Sequence, residues 1–468
     1  MQRVKPAKRQ DFEREMVERS ATASSGRMKT RMKINEQPVP KTPESGSRSR
    51  SHLIWAVLTA LALRLLVVAF VYKDFLVDGR DHWEFGYETG KIAYSIASGH
   101  GFSHPFWIET GPTAILSPVF PYLMSYVFMV FGAYTKAAAL VILGFNCLVS
   151  ALTCIPIFFL ARNSFGLRTA TGAVWIWAFF PYAVYFSADS MWSHALVAML
   201  LPTLLVIASY LETRTSLWMW AGLGLLWGFT ALTTPVVLTI VPFLGGWICY
   251  KLHRNGKNWR KPALTAAFVL FATVAPWMVR NSRLFHRPVF LEDNFWMEVC
   301  VGNLGDGRYW WNPSVHPAGS NAELEEYRRL GESGYMQRER RQAFDFIQHH
   351  PALYLWRCIR RFVYIWTGFW SLNQEYLREE PFDVANIFFC TGFTVLAMTG
   401  LYRAFQRSWN ATMPYALILL AFPVAYYVAH PEISFRQPID PALVIFASFA
   451  LFSGQKPIPK LASLGKKK

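Results

Sequence analysis

Long apolar stretches separated by short polar segments run through most of the chain. The first occupies residues 53–72, and the others lie at about 114–132, 137–161, 169–187, 191–210, 217–233, 235–250, 263–281, 383–402, 411–429 and 438–453. Most of them approach the roughly 20 residues that a helix needs to cross the hydrocarbon core of a bilayer. The pattern therefore predicts an all-α polytopic membrane protein with about ten transmembrane helices, because some of these stretches need not cross.

Two apolar stretches lack the pattern of a single helix that crosses the whole membrane. Residues 352–371 contain Arg357, Arg360 and Arg361, and charged side chains are costly at the centre of a bilayer. We therefore expect a helix that lies at the membrane surface there. Residues 112–132 are interrupted by three prolines, which favours a partial or re-entrant segment.

Two long polar segments, 73–112 and 282–350, separate the apolar stretches. The segment 251–261 carries five Lys or Arg residues and no acid, and basic loops stay in the cytoplasm. Following the chain from that point places both long polar segments on the outer side of the membrane. We expect juxtamembrane helices within them.

The composition agrees with this organisation. The 468 residues are 53% hydrophobic and 16% charged, whereas soluble domains carry about 25% charged residues. Most of the net charge of +17 lies in the two ends of the chain. We read residues 1–52 as a disordered basic tail and 454–468 as a second basic tail, both cytoplasmic. Residues 53–453 then form the membrane domain, and a nucleic-acid partner is not expected.

The first outer segment carries a group of carboxylates directly after the first span. They are Asp78, Asp81, Glu84 and Glu88. Glu84 and Glu88 would repel each other at helical spacing, so helix stability does not explain them. A carboxylate beside other acids and near the membrane has a raised pKa and can act as a general base. A solvated loop surface is the alternative interpretation.

Metal binding by the same segment has weaker support. His82, His100 and His104 match no standard metal-ligand spacing. We therefore assign no metal ligands and expect no cofactor, while a divalent metal stays an alternative that the sequence does not indicate.

Arginines on the outer side form the second candidate group. Arg280, Arg357, Arg361 and Arg436 come from three separate segments that should meet the outer membrane edge. A guanidinium group matches the oxygens of a phosphate, so these residues favour an anionic lipid substrate, with contact to ordinary lipid headgroups as the alternative. Asp189 falls on the same side and is a candidate for binding the acceptor.

An ordered series of short motifs resembles a known family. It comprises the Arg-bearing first span, the acidic segment leading to Ala93–Gly99, the proline-rich residues 112–122, Leu232–Pro235, Pro276–Asn281, Val301–Asn303, Gly331-Glu332, His350-Pro351 and Arg436–Pro441. The series is similar to the GT-C membrane glycosyltransferases, and within them to the dolichyl-phosphate-mannose protein mannosyltransferase and lipid A aminoarabinose transferase group. The resemblance covers about residues 53–453.

The resemblance implies a chemistry and a location. Members transfer a sugar from a polyprenyl phosphate to an acceptor hydroxyl on a lipid, glycan or protein, with inversion at the anomeric carbon. By this resemblance, Glu88, Glu84 or Asp81 would be the catalytic base, while Asp78, Asp189 and the four arginines would bind substrates. The family usually has an Asp-Glu pair followed by Tyr, and this motif is altered here. All three acids therefore stay candidates for the catalytic base. The expected location is a bacterial inner membrane, with the active site on the periplasmic or extracellular side.

Other functions predict different features. A flippase or transporter for a lipid-linked sugar should show inverted repeats and a polar site at the bilayer midplane, and no internal repeat is evident. A lipid-linked glycan polymerase or ligase could share an outer face rich in acids and arginines, but it should lack an acidic segment directly after the first span. A non-catalytic relative is a further alternative.

Overall fold

The computed structural model describes residues 43–72, 85–189, 191–305, 312–368 and 383–454. In these ranges the regular elements are helices, and an isolated antiparallel bridge joins Ser103 to Pro112. The α-helices are α1 (Pro43–Val67), α2 (Glu88–Ala97), α3 (Val119–Phe131), α4 (Lys136–Leu152), α5 (Cys154–Phe165), α6 (Leu167–Phe179), α7 (Pro181–Ala188), α8 (His194–Leu211), α9 (Leu217–Ala231), α10 (Val241–Arg254), α11 (Arg260–Phe285), α12 (Phe295–Val301), α13 (Asn321–His349), α14 (Pro351–Thr367), α15 (Asp383–Arg407), α16 (Trp409–Ala421), α17 (Val424–Val428) and α18 (Asp440–Phe452). The predicted all-α fold is confirmed.

Eight stretches in the described ranges are long and apolar enough to cross a membrane. They are Arg50–Phe70, Lys136–Phe165, His194–Leu211, Pro235–Arg254, Arg260–Phe285, Val384–Arg407, Trp409–Val428 and Ile433–Phe452. Several such helices in one chain make this a multi-pass membrane protein, as predicted. The expected total of about ten spans stays a prediction.

The remaining apolar stretches are shorter than the sequence pattern suggests. Helix α3 has 13 residues and α9 has 15, about 20 to 23 Å of helix, which is less than the roughly 30 Å hydrocarbon core. The predicted span 169–187 is divided into α6 and α7, with Phe180 in an extended conformation before Pro181. Proline lacks the N–H that a continuous helix would need at this point.

A buried arginine fastens the first helix to the bundle. Arg64 has no exposed surface. Its guanidinium donates to the Ser150 hydroxyl at 2.9 Å and to the carbonyl oxygens of Ala60, Ala178 and Trp177 at 3.0, 3.1 and 3.2 Å. These bonds satisfy the charge inside the bundle and join α1 to α4 and α6. The position of Arg64 in an apolar helix is thereby explained by packing.

Helices α9 and α11 approach closely through small residues. A Cβ atom at Gly224 would collide with the carbonyl oxygen of Ala266, and one at Gly228 would lie 2.6 Å from Thr273 Cβ. Glycines four residues apart allow this kind of backbone contact between membrane helices.

This contact predicts a stability effect. We expect Gly224→Val to lower the thermal unfolding midpoint of the detergent-purified protein, because the added side chain forces α9 away from α11. Gly222→Val is the matched control, since nothing lies within 4 Å of a Cβ atom there. Equal midpoints for the two variants would contradict the close contact.

Candidate active site

Carboxylates and histidines from several segments gather on one face of the helix bundle. This face carries the described parts of residues 85–118 and 286–350 and is called the loop face below. The group comprises Glu88, Glu292, Glu298, His316, His430 and Glu432, and is called the carboxylate–histidine cluster. Glu298 is close to the other five residues. Its charge affects the pKa values of Glu88, Glu292, His316 and Glu432, and His430 and His316 affect the pKa of Glu298.

An ion pair forms the centre of this cluster. Glu298 Oε2 lies 3.0 Å from His430 Nδ1, and the Asn294 amide donates to Glu298 Oε1 at 3.1 Å. Burial favours the neutral acid, but the nearby His430, its hydrogen bond and His316 outweigh it and lower the pKa of Glu298. Glu298 is therefore ionised at neutral pH.

The other three carboxylates have the opposite shift. Burial raises the pKa of Glu88 to about 8, and the negative charge of Glu298 adds to the effect. Burial likewise raises the pKa values of Glu292 and Glu432 to about 7. Neighbouring acids whose pKa values are driven apart can divide the roles of proton acceptor and fixed charge. Glu88, with a pKa of about 8, thus lies near Glu298, whose pKa is lowered.

The position of Glu88 depends on a tight turn. The backbone adopts positive φ at Gly86 (70°) and Tyr87 (37°), and α2 starts at Glu88. A Cβ atom at Gly86 would lie 2.5 Å from Trp192 Cδ1, so the turn needs glycine for space as well as for its conformation. The Tyr87 ring is buried edge-on against Trp107, with ring centroids 5.2 Å apart. The carboxylate is therefore held at the base of a rigid turn.

Aromatic rings connect the cluster with Arg436. The Phe435 ring lies 5.6 Å from His430, 5.5 Å from His194 and 4.6 Å from Tyr426 between ring centroids. Arg436 follows Phe435 directly in the chain, and its guanidinium carbon lies 5.2 Å from the centroid of the Tyr182 ring.

Arg436 is buried and incompletely bonded. Its Nε donates to Asp440 Oδ1 at 2.8 Å, and its Nη1 contacts Cys390 Sγ at 2.8 Å and Thr394 Oγ1 at 3.3 Å. Its Nη2 has no hydrogen-bond partner in the part of the chain that the structure describes. A buried N–H without an acceptor is costly, and the group is suited to bind an anionic ligand atom.

The other predicted arginines bond mainly to the backbone. Arg280 donates to the carbonyl oxygens of Thr113 and Phe102 at 2.6 and 2.8 Å. Arg361 is buried and donates to Gly302 O, and to Tyr427 O and Val428 O at 3.2 Å. Arg357 donates to Asn303 O. These contacts hold the loop segments together and leave fewer N–H groups for a phosphate.

The predicted acids are only partly covered by the structure. Asp78, Asp81 and Glu84 lie outside the described residues. Asp189 ends helix α7, where its N–H donates to Tyr185 O at 2.9 Å. It lies two residues before Met191, whose carbonyl oxygen would be 3.3 Å from a Cβ atom at Gly86. Asp189 is therefore close in the chain to the residues that pack against the Glu88 turn.

Sequence reasoning missed most of the cluster. Glu292, Glu298 and Glu432 stand among aromatic and aliphatic residues, in Phe290–Val301 and His430–Phe435. Acids in such surroundings next to the predicted membrane edge are the signal that could have identified them.

A further carboxylate organises the loop face. Glu332 is buried and accepts hydrogen bonds from the Thr113 hydroxyl at 2.5 Å, the Ala114 N–H at 2.8 Å and the Tyr327 hydroxyl at 2.7 Å. It follows Gly331, whose φ of 65° breaks the helical path of α13. Glu332 and Arg280 thus bind the segment around Thr113 from two sides.

A metal site needs several His, Cys, Asp or Glu side chains close together. Within the described ranges, no three His, Cys, Asp or Glu side chains lie close enough to hold a metal ion. His100 and His104 are near each other, with ring centroids 6.1 Å apart, and no third ligand joins them there.

Comparison with known proteins gives a family for part of the chain. The family described as dolichyl-phosphate-mannose-protein mannosyltransferase matches residues 111–279. The chain is similar to the GT-C membrane glycosyltransferases. The resemblance predicted from the sequence is thereby confirmed. Among curated proteins, none matches.

A solved oligosaccharyltransferase structure supports the fold, and two further structures have lower similarity. The archaeal oligosaccharyltransferase AglB from Archaeoglobus fulgidus, in complex with an inhibitory peptide and a dolichol-phosphate, is 16% identical, with a TM-score of 0.51 over 88% of this chain and 50% of that one. ArnT from Cupriavidus metallidurans bound to undecaprenyl phosphate is 16% identical, with a TM-score of 0.45 over 85% and 60%. A crystal structure of the Archaeoglobus oligosaccharyltransferase with Zn and sulfate is 14% identical, with a TM-score of 0.47 over 86% and 48%. The GT-C-like chain therefore spans about half the length of the oligosaccharyltransferases it matches.

The contacts of Glu332 yield a prediction for the loop face. We expect Glu332→Ala to destabilise the docking of the Thr113 segment by about 1–3 kcal/mol, because three buried donors lose their acceptor. Faster limited proteolysis within residues 102–118 and a lower unfolding midpoint would report this loss. The control is Glu325→Ala on the same helix, which is exposed; matching digestion patterns for both variants would show that Glu332 does not fasten the loop.

Proposed function

We propose that this protein is an inverting glycosyltransferase that uses a polyprenyl-phosphate-linked sugar. The observation that carries the proposal is the pairing of two features: a carboxylate that titrates near neutral pH, Glu88, and a buried guanidinium with an unbonded Nη2, Arg436. Glu88 belongs to the carboxylate–histidine cluster through Glu298, and His430 of that cluster packs against Phe435, the residue before Arg436. The fold similarity to a protein solved with dolichol-phosphate supports a lipid-phosphate substrate.

The proposed reaction is a single displacement at the anomeric carbon. Glu88 accepts the proton of the acceptor hydroxyl while the hydroxyl oxygen attacks the anomeric carbon. The bond from that carbon to the phosphate oxygen breaks, and the electron pair leaves with the polyprenyl phosphate. Attack opposite to the leaving group inverts the configuration. A base with a pKa near the working pH serves this step well, since it combines proton affinity with a substantial ionised fraction.

The arginine supplies charge where the leaving group gains it. The departing phosphate acquires an additional negative charge, and a preorganised donor at that place stabilises the transition state more than the ground state. Arg436 has such a donor in Nη2 and is held in place by Asp440. Arg280, Arg357 and Arg361 we assign to positioning, because most of their bonds go to backbone oxygens. Asp189 is proposed to bind the acceptor.

Asp81 and Glu84 stay alternative bases, and Asp78 a substrate-binding residue, because the family resemblance points to this acidic segment. We further propose a bacterial inner membrane location, with both termini in the cytoplasm and the loop face outside. The acceptor would then be a lipid, glycan or protein on that outer side.

The proposed base predicts a pH profile. Because the ionised form of Glu88 is the active one and its pKa is about 8, kcat/KM should rise about tenfold per pH unit well below pH 8 and level off above it. Glu88→Gln should lower kcat at least about 100-fold. Release of polyprenyl phosphate from a panel of polyprenyl-phosphate sugars measures both.

The control for the base is Glu109→Gln, an exposed acid later in the same segment. Full activity in Glu88→Gln would contradict the assignment, and Asp81→Asn and Glu84→Gln would then be compared in the same assay.

Arg436 predicts a separate effect on the leaving group. Arg436→Lys keeps a positive charge beside Asp440 but lacks the fork that presents Nη2, so we expect kcat to fall about 10- to 100-fold. The unfolding midpoint, measured in parallel, reports the loss of the Nη1 bonds. The double variant R436Q/D440N removes both buried charges together and should fold while staying inactive. Arg328→Lys is the control, because Arg328 is exposed on α13. A wild-type kcat in Arg436→Lys would exclude a phosphate-binding role for Nη2.

A further inference from the structure

A second site lies at the other end of the bundle. Helix α8 begins at His194 beside Phe435 on the loop face and is 18 residues long, so its other end is about 27 Å away. At that end, a cavity of about 360 Å³ opens between the ends of α5 and α8, the middle of α10 and the start of α16. It is therefore separate from the carboxylate–histidine cluster.

The walls of this cavity are apolar in part and polar in part. Leu160, Leu205, Leu244, Ile248 and Pro414 form the apolar part. The polar part includes Asn163, Ser209, Ser408 and Asn410, together with the Ser164 and Tyr415 hydroxyls, which are 2.9 Å apart. Cavities with this division suit a molecule that has a polar head and hydrocarbon chains.

Glu212 is the one charged residue that lines the described cavity. Its Oε1 accepts from Trp247 Nε1 at 3.0 Å. Its Oε2 has Lys251 Nζ at 3.9 Å, beyond hydrogen-bond distance, and no closer donor among the described residues. The carboxylate is four-fifths buried, and burial raises the pKa of Glu212. Oε2 is thus ion-paired with Lys251 at a distance too long for a hydrogen bond, and it can accept a hydrogen bond from a second cationic group.

One positive charge lies beside this carboxylate, and a second lies beside a residue of the cavity wall. Lys251 is one, and the Arg214 guanidinium lies 5.8 Å from the ring of Tyr210, which lines the cavity. An anionic group would be attracted to these residues while a cationic group reaches Glu212. The ligand that fits carries both charges a few ångströms apart.

We propose that this cavity binds the headgroup of an aminophospholipid such as phosphatidylethanolamine. The primary ammonium donates to Glu212 Oε2, the phosphate lies beside Lys251 and Arg214, and the upper acyl chains pack on the leucines of the wall. Phosphatidylcholine has no N–H to donate, and phosphatidylglycerol has no cation, so neither satisfies Glu212. This assignment does not depend on the proposed transferase reaction.

Native mass spectrometry of the full-length protein in detergent tests the proposal. Equimolar palmitoyl-oleoyl phosphatidylethanolamine, phosphatidylcholine and phosphatidylglycerol are added to delipidated protein. We expect phosphatidylethanolamine to be retained at least about fivefold over the other two lipids. Glu212→Gln should abolish the preference, and Ser209→Trp should block the cavity from an exposed position without touching Glu212 or its bond to Trp247.

Two results would overturn the proposal. Equal retention of the three lipids, or highest retention of phosphatidylglycerol, would mean that only general surface charge attracts lipid. A preference that persists in both Glu212→Gln and Ser209→Trp would place the bound lipid elsewhere. Glu325→Gln, an exposed change on α13, is the control that must retain the wild-type preference, and unfolding midpoints verify that each variant is folded.

Discussion

A buried guanidinium must find acceptors for its N–H groups, and that requirement organises this chain. In Arg64, Arg280 and Arg361 the acceptors are mostly backbone carbonyl oxygens of distant segments. Each such bond fixes a piece of main chain, so one side chain joins several elements that have few other contacts. Charge buried without acceptors would be prohibitive in an apolar bundle. The arginines therefore fix the path of the loops, and the loops in turn fix the acids.

In the candidate active site, by contrast, some buried polar groups lack hydrogen-bond or charge partners among the described residues. Glu298 has His430 and Asn294 as partners. Glu88 has burial and a neighbouring negative charge, both of which favour its neutral form, while Arg436 retains a donor without an acceptor. A structure optimised only for stability would remove such groups or pair them. Their persistence on one face is the physical reason for placing substrate binding there.

Much of the fold follows from the sequence, because apolar length and basic loops are strong signals for membrane helices. The pattern predicted the span over 53–72 and a helix over 352–371, which correspond to Arg50–Phe70 and to α14, while the surface location of α14 stays a prediction. The division of 169–187 at Pro181 was missed, since hydropathy does not register a missing N–H. Glu88 and Arg436 were among the predicted site residues and stay predictions, whereas the contact between Glu298 and His430 joins residues 132 positions apart. Single-sequence patterns contain no information on such contacts.

Residue type alone does not distinguish the predicted arginines from one another, but their contacts do. Arg280 and Arg436 both lie near the loop end of a membrane helix, so the sequence pattern predicts phosphate binding equally for both. What separates them is geometry: Arg280 finds two carbonyl oxygens within 2.8 Å, whereas Arg436 is turned into the bundle by Asp440 and leaves Nη2 unbonded. An anion bound at Arg280 would have to replace existing hydrogen bonds. An anion bound at Arg436 would instead give Nη2 the acceptor that it lacks. The cost of binding is therefore lower at Arg436, and the charge of the leaving group is best assigned there.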